Sequence, residues 1–395
     1  NINFDLPIVP IHDLRIKNNN LILGTQGRAF WILDDLSFIR NNKNLFLNEN
    51  SKTNVELIHV QESKSRLFMP QRVHNTYPVS ANTKKFSWAL GIENIYYQYQ
   101  NEEGNIKYNS LDAGQNTPTG LIIKYFLPNN PEKYNSIKIT IKKNDGEIIN
   151  EFSNKDDIGP QADNTYKILC LRPEKGFNEF EWNLRYPGPI HVADDLIPEN
   201  GELRRFSGQS SMSLEGPYVE PGDYIIELNT EEKIISTNCK IIPGVYAKNE
   251  NGELYKQTKF LLTVKDKLSE VNSTINSIRK LKSKLRKNQI IDADEQNFIL
   301  NELDDIDKKL ASTAEIEEEQ STIDQNSQGK RFGRVTDGAF FADSYNARLN
   351  GLIDTAGNTE SIHTKQTELV FEDLNTTIDV LIKKFKSISD NYEKS

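Results

Sequence analysis

The 395-residue sequence has little of what marks several functional classes. It contains two cysteines and five histidines, and the histidines stand singly at positions 12, 59, 74, 191 and 363, without the spacing of metal ligands. No stretch approaches the roughly 18–20 apolar residues of a transmembrane helix, and no signal-peptide pattern opens the chain. The sequence therefore predicts no metal site, no cofactor and no membrane span.

The charge distribution argues against a nucleic-acid-binding protein. Acidic residues (57) outnumber basic residues (48), which leaves a net charge of −9. The two signs are interspersed along the chain rather than gathered into blocks. Nucleic acid binding depends on clustered Lys and Arg side chains, so we expect no nucleic acid partner.

The cysteines leave the redox compartment open. Cys170 and Cys239 both lie in strand-like segments, YKILCL and STNCKII. A disulfide between two sheets of an exported protein fits this placement, and so do two buried free thiols.

Hydrophobic periodicity divides the chain into four segments. Residues 1–42 contain short apolar strands between turns, and residues 43–105 are polar and irregular with edge strands. Residues 106–257 hold about seven strands with turn signals between them, which predicts a β-sandwich of immunoglobulin or fibronectin III type. Residues 258–395 carry apolar side chains at steps of three and four, which predicts an antiparallel helical bundle with a mobile acidic loop near 312–330. The predicted fold class is mainly β plus α.

Four helices are predicted in the last segment. Their apolar stripes begin at Leu261, Phe298, Phe341 and Val370, and each stripe is expected to face the core of the bundle.

Two adjacent acids, Asp34 and Asp35, follow an aromatic strand. A glycosidase needs two carboxylates that flank one bond, about 5–5.5 Å apart for retention and about 6.5–9.5 Å for inversion. Adjacent strand residues point to opposite faces, and Asp at a strand end commonly caps turn amides. We therefore favour a structural role for this pair over catalysis, and keep both as candidate ligand-binding residues.

A glycine-containing turn, GTQGR at residues 24–28, precedes these acids. It resembles half a phosphate loop, but no helix with a Lys-Ser/Thr pair follows, so a tight connection between strands is the better interpretation. His12 and Asp13 lie on the preceding strand, close to Arg28 in the turn. These three residues are further ligand-binding candidates, and a structural role is the alternative.

The sandwich contains residues expected in its core. Trp182 is predicted to lie between the sheets with Phe180 on the same face, and Arg185 could hold a loop carboxylate. A glycan-binding face would instead need exposed aromatic side chains, for which the candidates are Tyr96, Tyr97, Tyr99, Tyr186 and Tyr218. The residues assigned to structural motifs are Gly24, Gly27, Trp31, Trp182, Arg185, Gly222 and Tyr224.

Several of these segments together resemble one family. VPIHDLRIKNNNLILGTQGRAFWILDDL resembles the closing blade of BNR-repeat, sortilin-like (VPS10-like) β-propeller proteins. DAGQNTPTGLIIKYFL is similar to the segment that opens the family's β-sandwich, with Thr117 where a first Pro is usual. KGFNEFEWNLRYPG and GPYVEPGDYIIEL are similar to two later motifs, with Asn183 in place of an Asp. A helical tail follows in the same order.

The resemblance implies that residues 1–42 are part of the last propeller blade. The chain does not begin with Met, and we expect it to be the C-terminal portion of a longer, exported polypeptide whose signal and other blades lie upstream. Many family members are labelled glycosyl hydrolases, but the catalytic acids of BNR-type enzymes lie in blades outside this segment. No catalytic residue is therefore carried over.

The expected function is a non-catalytic portion that closes the propeller and presents protein- or glycan-binding surfaces. One alternative is an accessory part of a glycoside hydrolase with its catalytic residues upstream. Another is a secretion or surface-assembly component whose helical bundle docks on a partner. These expectations rest on architecture, which by itself does not define function.

Overall fold

A computed structural model describes most of the chain. The described residues are 6, 8–17, 19–41, 55–61, 63–66, 84–87, 96–100, 106–110, 119–155, 171–190, 192, 216–230, 233–244, 247, 249, 251–287, 293–311, 344–357 and 359–394. The strands are β1 (Ile11–Lys17), β2 (Asn20–Thr25), β3 (Phe30–Leu33), β4 (Glu56–Val60), β5 (Ser63–Ser65), β6 (Lys84–Ser87), β7 (Tyr96–Gln100), β8 (Ile106–Ser110), β9 (Leu121–Leu127), β10 (Lys138–Lys143), β11 (Ile148–Ser153), β12 (Gly176–Trp182), β13 (Gly222–Asn229) and β14 (Ile234–Ile242). The helices are α1 (Ser37–Asn41), α2 (Glu253–Lys287), α3 (Ala293–Leu310), α4 (Tyr345–Gly357) and α5 (Lys365–Lys394). The chain is thus a mixed β and α protein, as predicted.

Two sheets enclose one apolar core in the middle of the chain. The first has strand order β11-β10-β13-β14-β5, and the second has strand order β12-β9-β4. Pairing is antiparallel in both sheets, except that β5 runs parallel to β14. Buried side chains from both sheets form a single cluster, so the two layers depend on each other for burial.

Alternation of period two builds this core. Along β9, Leu121, Ile123, Tyr125 and Leu127 are buried, while the residues between them are half-buried. Such a strand has one face toward the core and one toward solvent. Trp182 on β12 is fully buried and Phe180 lies on the same face, which confirms the predicted placement of this pair.

The Asp145-Gly146 turn joins β10 to β11. Gly146 has a φ of +91°, a region that glycine enters without steric cost. Glu147 N donates to Asp145 Oδ1 (3.0 Å), and Lys143 N donates to Glu147 O (2.9 Å). The Asp-Gly pair thus closes a β-hairpin, the turn that this dipeptide favours.

Residues between the N-terminal strands and β9 contribute to three sheets. β4 pairs with β9 and β5 pairs with β14, so both are edge strands of the two core sheets. Ile106–Ser110, which the periodicity assigned to the start of the sandwich, instead pairs with β7 in a separate sheet of order β6-β7-β8.

The N-terminal strands form a separate sheet, an antiparallel meander of order β1-β2-β3. Gly27 has a φ of +75° in the turn between β2 and β3. Thr25 closes this turn, because its N–H and its hydroxyl both donate to Ala29 O, at 3.2 and 2.7 Å. The predicted tight connection is confirmed.

Four long helices share a second apolar core. Arg279 and Lys282 of α2 pair with Asp307 of α3 (3.5 and 3.2 Å), while Gln257 near the start of α2 donates to Ala356 O at the end of α4 (2.8 Å). α3 therefore lies against the second half of α2, and α4 lies against the first half.

The two longest helices run in the same direction. Phe260 and Phe371 meet at the start of α2 and α5 with ring centroids 5.9 Å apart, and Lys267 pairs with Asp379 further along (2.8 Å). The prediction of an antiparallel bundle did not include this parallel pair. Two shorter helices, α3 and α4, lie between α2 and α5 in the sequence.

Two residues of the predicted stripes do not face the core. Phe298 is 67% exposed and Val370 is 49% exposed. The buried stripe of α3 runs through Leu303, Ile306 and Leu310, and Phe298 lies outside it on the 3.6-residue period. The predicted helical start at Phe341 lies outside the described residues.

Cys239 is a buried free thiol on β14. Burial, with a smaller effect of Asp223, raises its pKa to about 12, so the thiol stays protonated and unreactive at neutral pH. Cys170 lies outside the described residues.

Truncation of Trp182 tests the central core. We expect Trp182→Ala to lower the free energy of unfolding by about 3–5 kcal/mol, because it leaves a cavity between two sheets. Phe177→Ala on the same strand is the control, since Phe177 is 53% exposed and should cost much less. Urea unfolding measures both, and equal losses would contradict a core centred on Trp182.

Candidate functional site

Asp35 leaves β3 in a left-handed conformation, with a φ of +53°. Asp tolerates this region better than most residues. Its Oδ1 accepts a hydrogen bond from Ser37 N (3.2 Å) at the start of α1, and it also accepts one from the Ser37 hydroxyl. Asp35 therefore caps a turn at a strand end, the structural role that we favoured from the sequence.

His59 connects Asp35 to the sandwich. His59 lies on β4 and is buried, and its Nε2 is 2.7 Å from Asp35 Oδ2. The imidazole ring also packs against Phe38 of α1, with ring centroids 5.7 Å apart. Because β4 pairs with β9, this contact joins the N-terminal segment to the second sheet of the sandwich.

Ser37, His59 and Asp35 do not form a catalytic triad. In a triad the carboxylate binds Nδ1 of the imidazole and leaves Nε2 for the serine. Here Asp35 occupies Nε2, and Ser37 Oγ lies 3.5 Å from the same nitrogen. The serine hydroxyl is also bonded to Asp35, so His59 is not placed to take its proton.

A charge cluster extends from this junction. Lys64 on β5 is buried. Burial lowers the pKa of its ammonium, while the nearby carboxylates of Glu181, Asp34 and Asp35 raise it by a smaller amount. Burial raises the pKa of Asp34, while Lys64 lowers it and Asp35 raises it. Asp34 Oδ1 accepts no hydrogen bond within the described residues. One buried ammonium thus lies near three carboxylates, those of Asp34 and Asp35 after β3 and that of Glu181 on β12.

The sequence did not predict His59 and Lys64 as site residues. Both lie in the segment 43–105, whose polar composition indicated connecting structure. VELIHV had a strand-like pattern that placed His59 on a strand, but no local signal linked this strand to Asp35.

His12, Asp13 and Arg28 are not brought together by polar contacts. Asp13 accepts from Leu14 N (2.9 Å) and lies 3.4 Å from Arg15 Nε. Arg28 contributes its backbone carbonyl, which accepts from Trp31 Nε1 (3.0 Å). In the part of the chain that the structure describes, no hydrogen bond or ion pair joins the three candidates.

Arg185 lies beyond the end of β12, where its Nη1 donates to Gly216 O (2.8 Å). Its guanidinium packs on the Tyr218 ring, with Cζ 3.7 Å from the centroid. Tyr186 is buried and donates to Glu220 Oε2 (3.0 Å). Tyr186 and Tyr218 therefore contribute to the interior of the sandwich rather than to an exposed aromatic face.

The other glycan candidates and motif residues are placed as follows. Tyr96, Tyr97 and Tyr99 lie on β7, Gly24 on β2, and Gly222 and Tyr224 on β13. Among the described residues, no group of His, Cys, Asp and Glu has the arrangement of a metal site. Within the same residues, no helix is both long and apolar enough to cross a membrane.

Comparisons with known proteins add little. The sequence matches no protein-family model and no curated protein. A solved structure similar to it is that of PorZ, described as an essential bacterial surface component of the type-IX secretion system of human oral-microbiomic Porphyromonas gingivalis. The identity is 14%, the match covers 59% of this chain and 23% of PorZ, and the TM-score is 0.13. A likeness at that score carries no argument about fold or function.

Replacing Asp35 by Asn tests the junction, since Asn also tolerates a positive φ. Burial alone would raise the pKa of Asp35, but hydrogen bonds from Ser37 and His59 hold it below its ordinary 3.8. A lowered folded-state pKa means that the carboxylate stabilises the fold above that value and loses this contribution as the pH falls through it. We expect Asp35→Asn to cost about 1–3 kcal/mol near pH 7 and progressively less toward pH 3.

Urea unfolding at both pH values measures this difference. Asp13→Asn is the control, because Asp13 is exposed and its contacts are local. A cost that is independent of pH, or no larger than that of Asp13→Asn, would contradict the assignment.

Proposed function

We propose that the chain is a non-catalytic C-terminal portion of an exported, sortilin-like BNR propeller protein. In this role it closes the propeller and presents surfaces for a protein or glycan partner. The observation that carries the proposal is the uncovered apolar surface of the β1-β2-β3 meander.

One face of the meander carries two rows of apolar residues. Cross-strand register places Leu14, Leu23 and Trp31 in one row and Ile16, Leu21 and Leu33 in the next. None of the six is buried, and Leu14 and Ile16 are 54% and 56% exposed. A contiguous apolar face of this kind marks an interaction surface.

The opposite face is also partly apolar. Ile22 and Ile32 pair across β2 and β3 on that face, and Phe30 lies on it beside them. Phe30 and Ile32 are 78% and 57% exposed. An antiparallel sheet with one solvated face would carry polar residues there, whereas a propeller blade packs between two neighbours. Asp13, Arg15 and Lys17 of β1 lie on this face too, so its apolar part is confined to β2 and β3. One apolar face and one partly apolar face support a blade.

The sandwich has two features of the immunoglobulin-like domain that is expected to follow the propeller. Tyr224 near the start of β13 is buried, and its hydroxyl donates to Glu220 O, four residues upstream (2.6 Å). A tyrosine that bonds back to the backbone in this way recurs in immunoglobulin-like sandwiches, as does a buried tryptophan between the sheets. Tyr224 and Trp182 meet at 6.0 Å between ring centroids.

The polar groups near β3 favour a non-catalytic role. Asp35 and Ser37 are committed to each other and to His59, so neither is available as a nucleophile or base. Asp34 and Asp35 share one neighbouring ammonium, Lys64, and this arrangement fixes the end of β3. We therefore place any catalysis by the whole protein outside these residues.

Dye binding tests the uncovered faces. We expect the chain to bind a hydrophobic dye and to self-associate, because apolar sheet faces remain in water. Leu14→Thr with Ile16→Thr should lower both signals, since Thr keeps strand propensity but reduces apolar area. Ile148→Thr with Ile234→Thr is the matched control, as these residues are 53% and 63% exposed on the sandwich.

A chain that stays monomeric and binds no dye would contradict the proposal, as would equal effects of the two double variants.

The polypeptide encoded upstream of this chain provides a second check. Joining the preceding polypeptide to this chain should suppress dye binding if that polypeptide supplies neighbouring blades.

A further inference from the structure

A small cavity lies where the sandwich meets α2 and α4. Its volume is about 20 Å³, which exceeds the roughly 10–15 Å³ needed by one water-sized particle. Arg66, Arg185 and residues 216–218 line it from the sandwich. Leu261 of α2 and Ile353 of α4 line it from the helices.

Two guanidinium groups contribute to the cavity wall, and among the described residues that line it none is acidic. Both groups pack against the same ring, because the Cζ atoms of Arg185 and Arg66 lie 3.7 and 5.3 Å from the Tyr218 centroid. The two like charges are thus held near each other, away from bulk water.

Two donors of Arg66 lack an acceptor in the described part of the chain. Its side chain is 4% exposed, and its Nε and Nη1 make no hydrogen bond within the described residues. Glu360 Oε1 lies 3.3 Å from Nε but is not aligned to accept. Glu360 is not among the described residues that line the cavity. A buried N–H without a partner is destabilising, so a ligand at this position would stabilise the fold.

We propose that this cavity binds a chloride ion, held by the free N–H groups of Arg66 and the positive charge of Arg185. An anion matches this wall, because the Arg66 N–H groups are buried without a hydrogen-bond acceptor among the described residues and the Arg185 guanidinium adds positive charge beside the nearby carboxylate of Glu360. A monatomic halide fits the available space, which exceeds that of one water-sized particle.

The ion would stabilise the joint between the sandwich and the helices. Tyr218 belongs to the sandwich side, and its carbonyl accepts a hydrogen bond from Thr258 of α2 (3.1 Å). The anion would lie between the two parts, because Arg66 and Arg185 belong to the sandwich while Leu261 and Ile353 line the cavity from the helices. Binding to the folded state alone makes stability depend on chloride concentration. This site is independent of the proposed propeller.

Bromide, which scatters X-rays anomalously, gives the direct test. Crystals of the chain soaked in sodium bromide should show an anomalous peak within hydrogen-bond distance of Arg66 Nη1. A cavity that holds only water under these conditions would overturn the proposal.

Thermal and urea unfolding in solution give the second test. At constant ionic strength, replacing sodium gluconate by sodium chloride should stabilise the chain in a saturable way. At ten times the dissociation constant, the unfolding equilibrium constant should fall about 11-fold. Arg66→Met should abolish this chloride dependence.

Arg279→Met is the matched control, because Arg279 pairs with Asp307 between α2 and α3, away from the cavity. It should lower stability but keep the chloride dependence. Equal responses of the two variants would show a general salt effect and overturn the proposal. If Arg66→Met does not fold, the bromide peak in the unaltered chain decides.

Discussion

The mutual burial of two sheets is the constraint on which the structure depends. Within the described residues, the sheets that contain β9 and β13 cover each other's inward faces, and both contribute to one core around Trp182. Apolar side chains at every second position supply that face, and the removal of this area from water is the main driving force. The strands from the polar segment 43–105 add only edges to it. The helices have an apolar core of their own.

Buried polar contacts connect the other parts of the chain to this core. At one end, Asp35 and His59 connect the N-terminal meander to the second sheet. At the other, Arg66 and Glu360 face each other between the sandwich and the connection from α4 to α5. Burying such groups is costly unless they are paired, so their geometry restricts how the parts can be arranged. These polar groups are therefore best understood as connections with defined geometry.

The meander differs from the rest because its apolar residues remain uncovered. In the sandwich and in the helices, periodic apolar positions coincide with burial, as at Ile123 and Ile306. In the meander the same type of pattern leaves Ile16 and Phe30 largely in water. Local propensity and tertiary burial disagree in the meander. Such a disagreement indicates an interface, and it supports the proposal that a further layer covers the meander.

The sequence alone was sufficient for features set by near neighbours. Strand and helix periods, the hairpin at Asp145-Gly146, the turn at Gly27 and the burial of Trp182 depend on residues a few positions apart. Only the tertiary structure decided that His59 meets Asp35, that β8 leaves the sandwich, and that α2 runs parallel to α5. Those contacts join distant segments, and their geometry follows from how whole layers pack. No local pattern encodes that packing, because many partners could satisfy the same apolar face or the same charge.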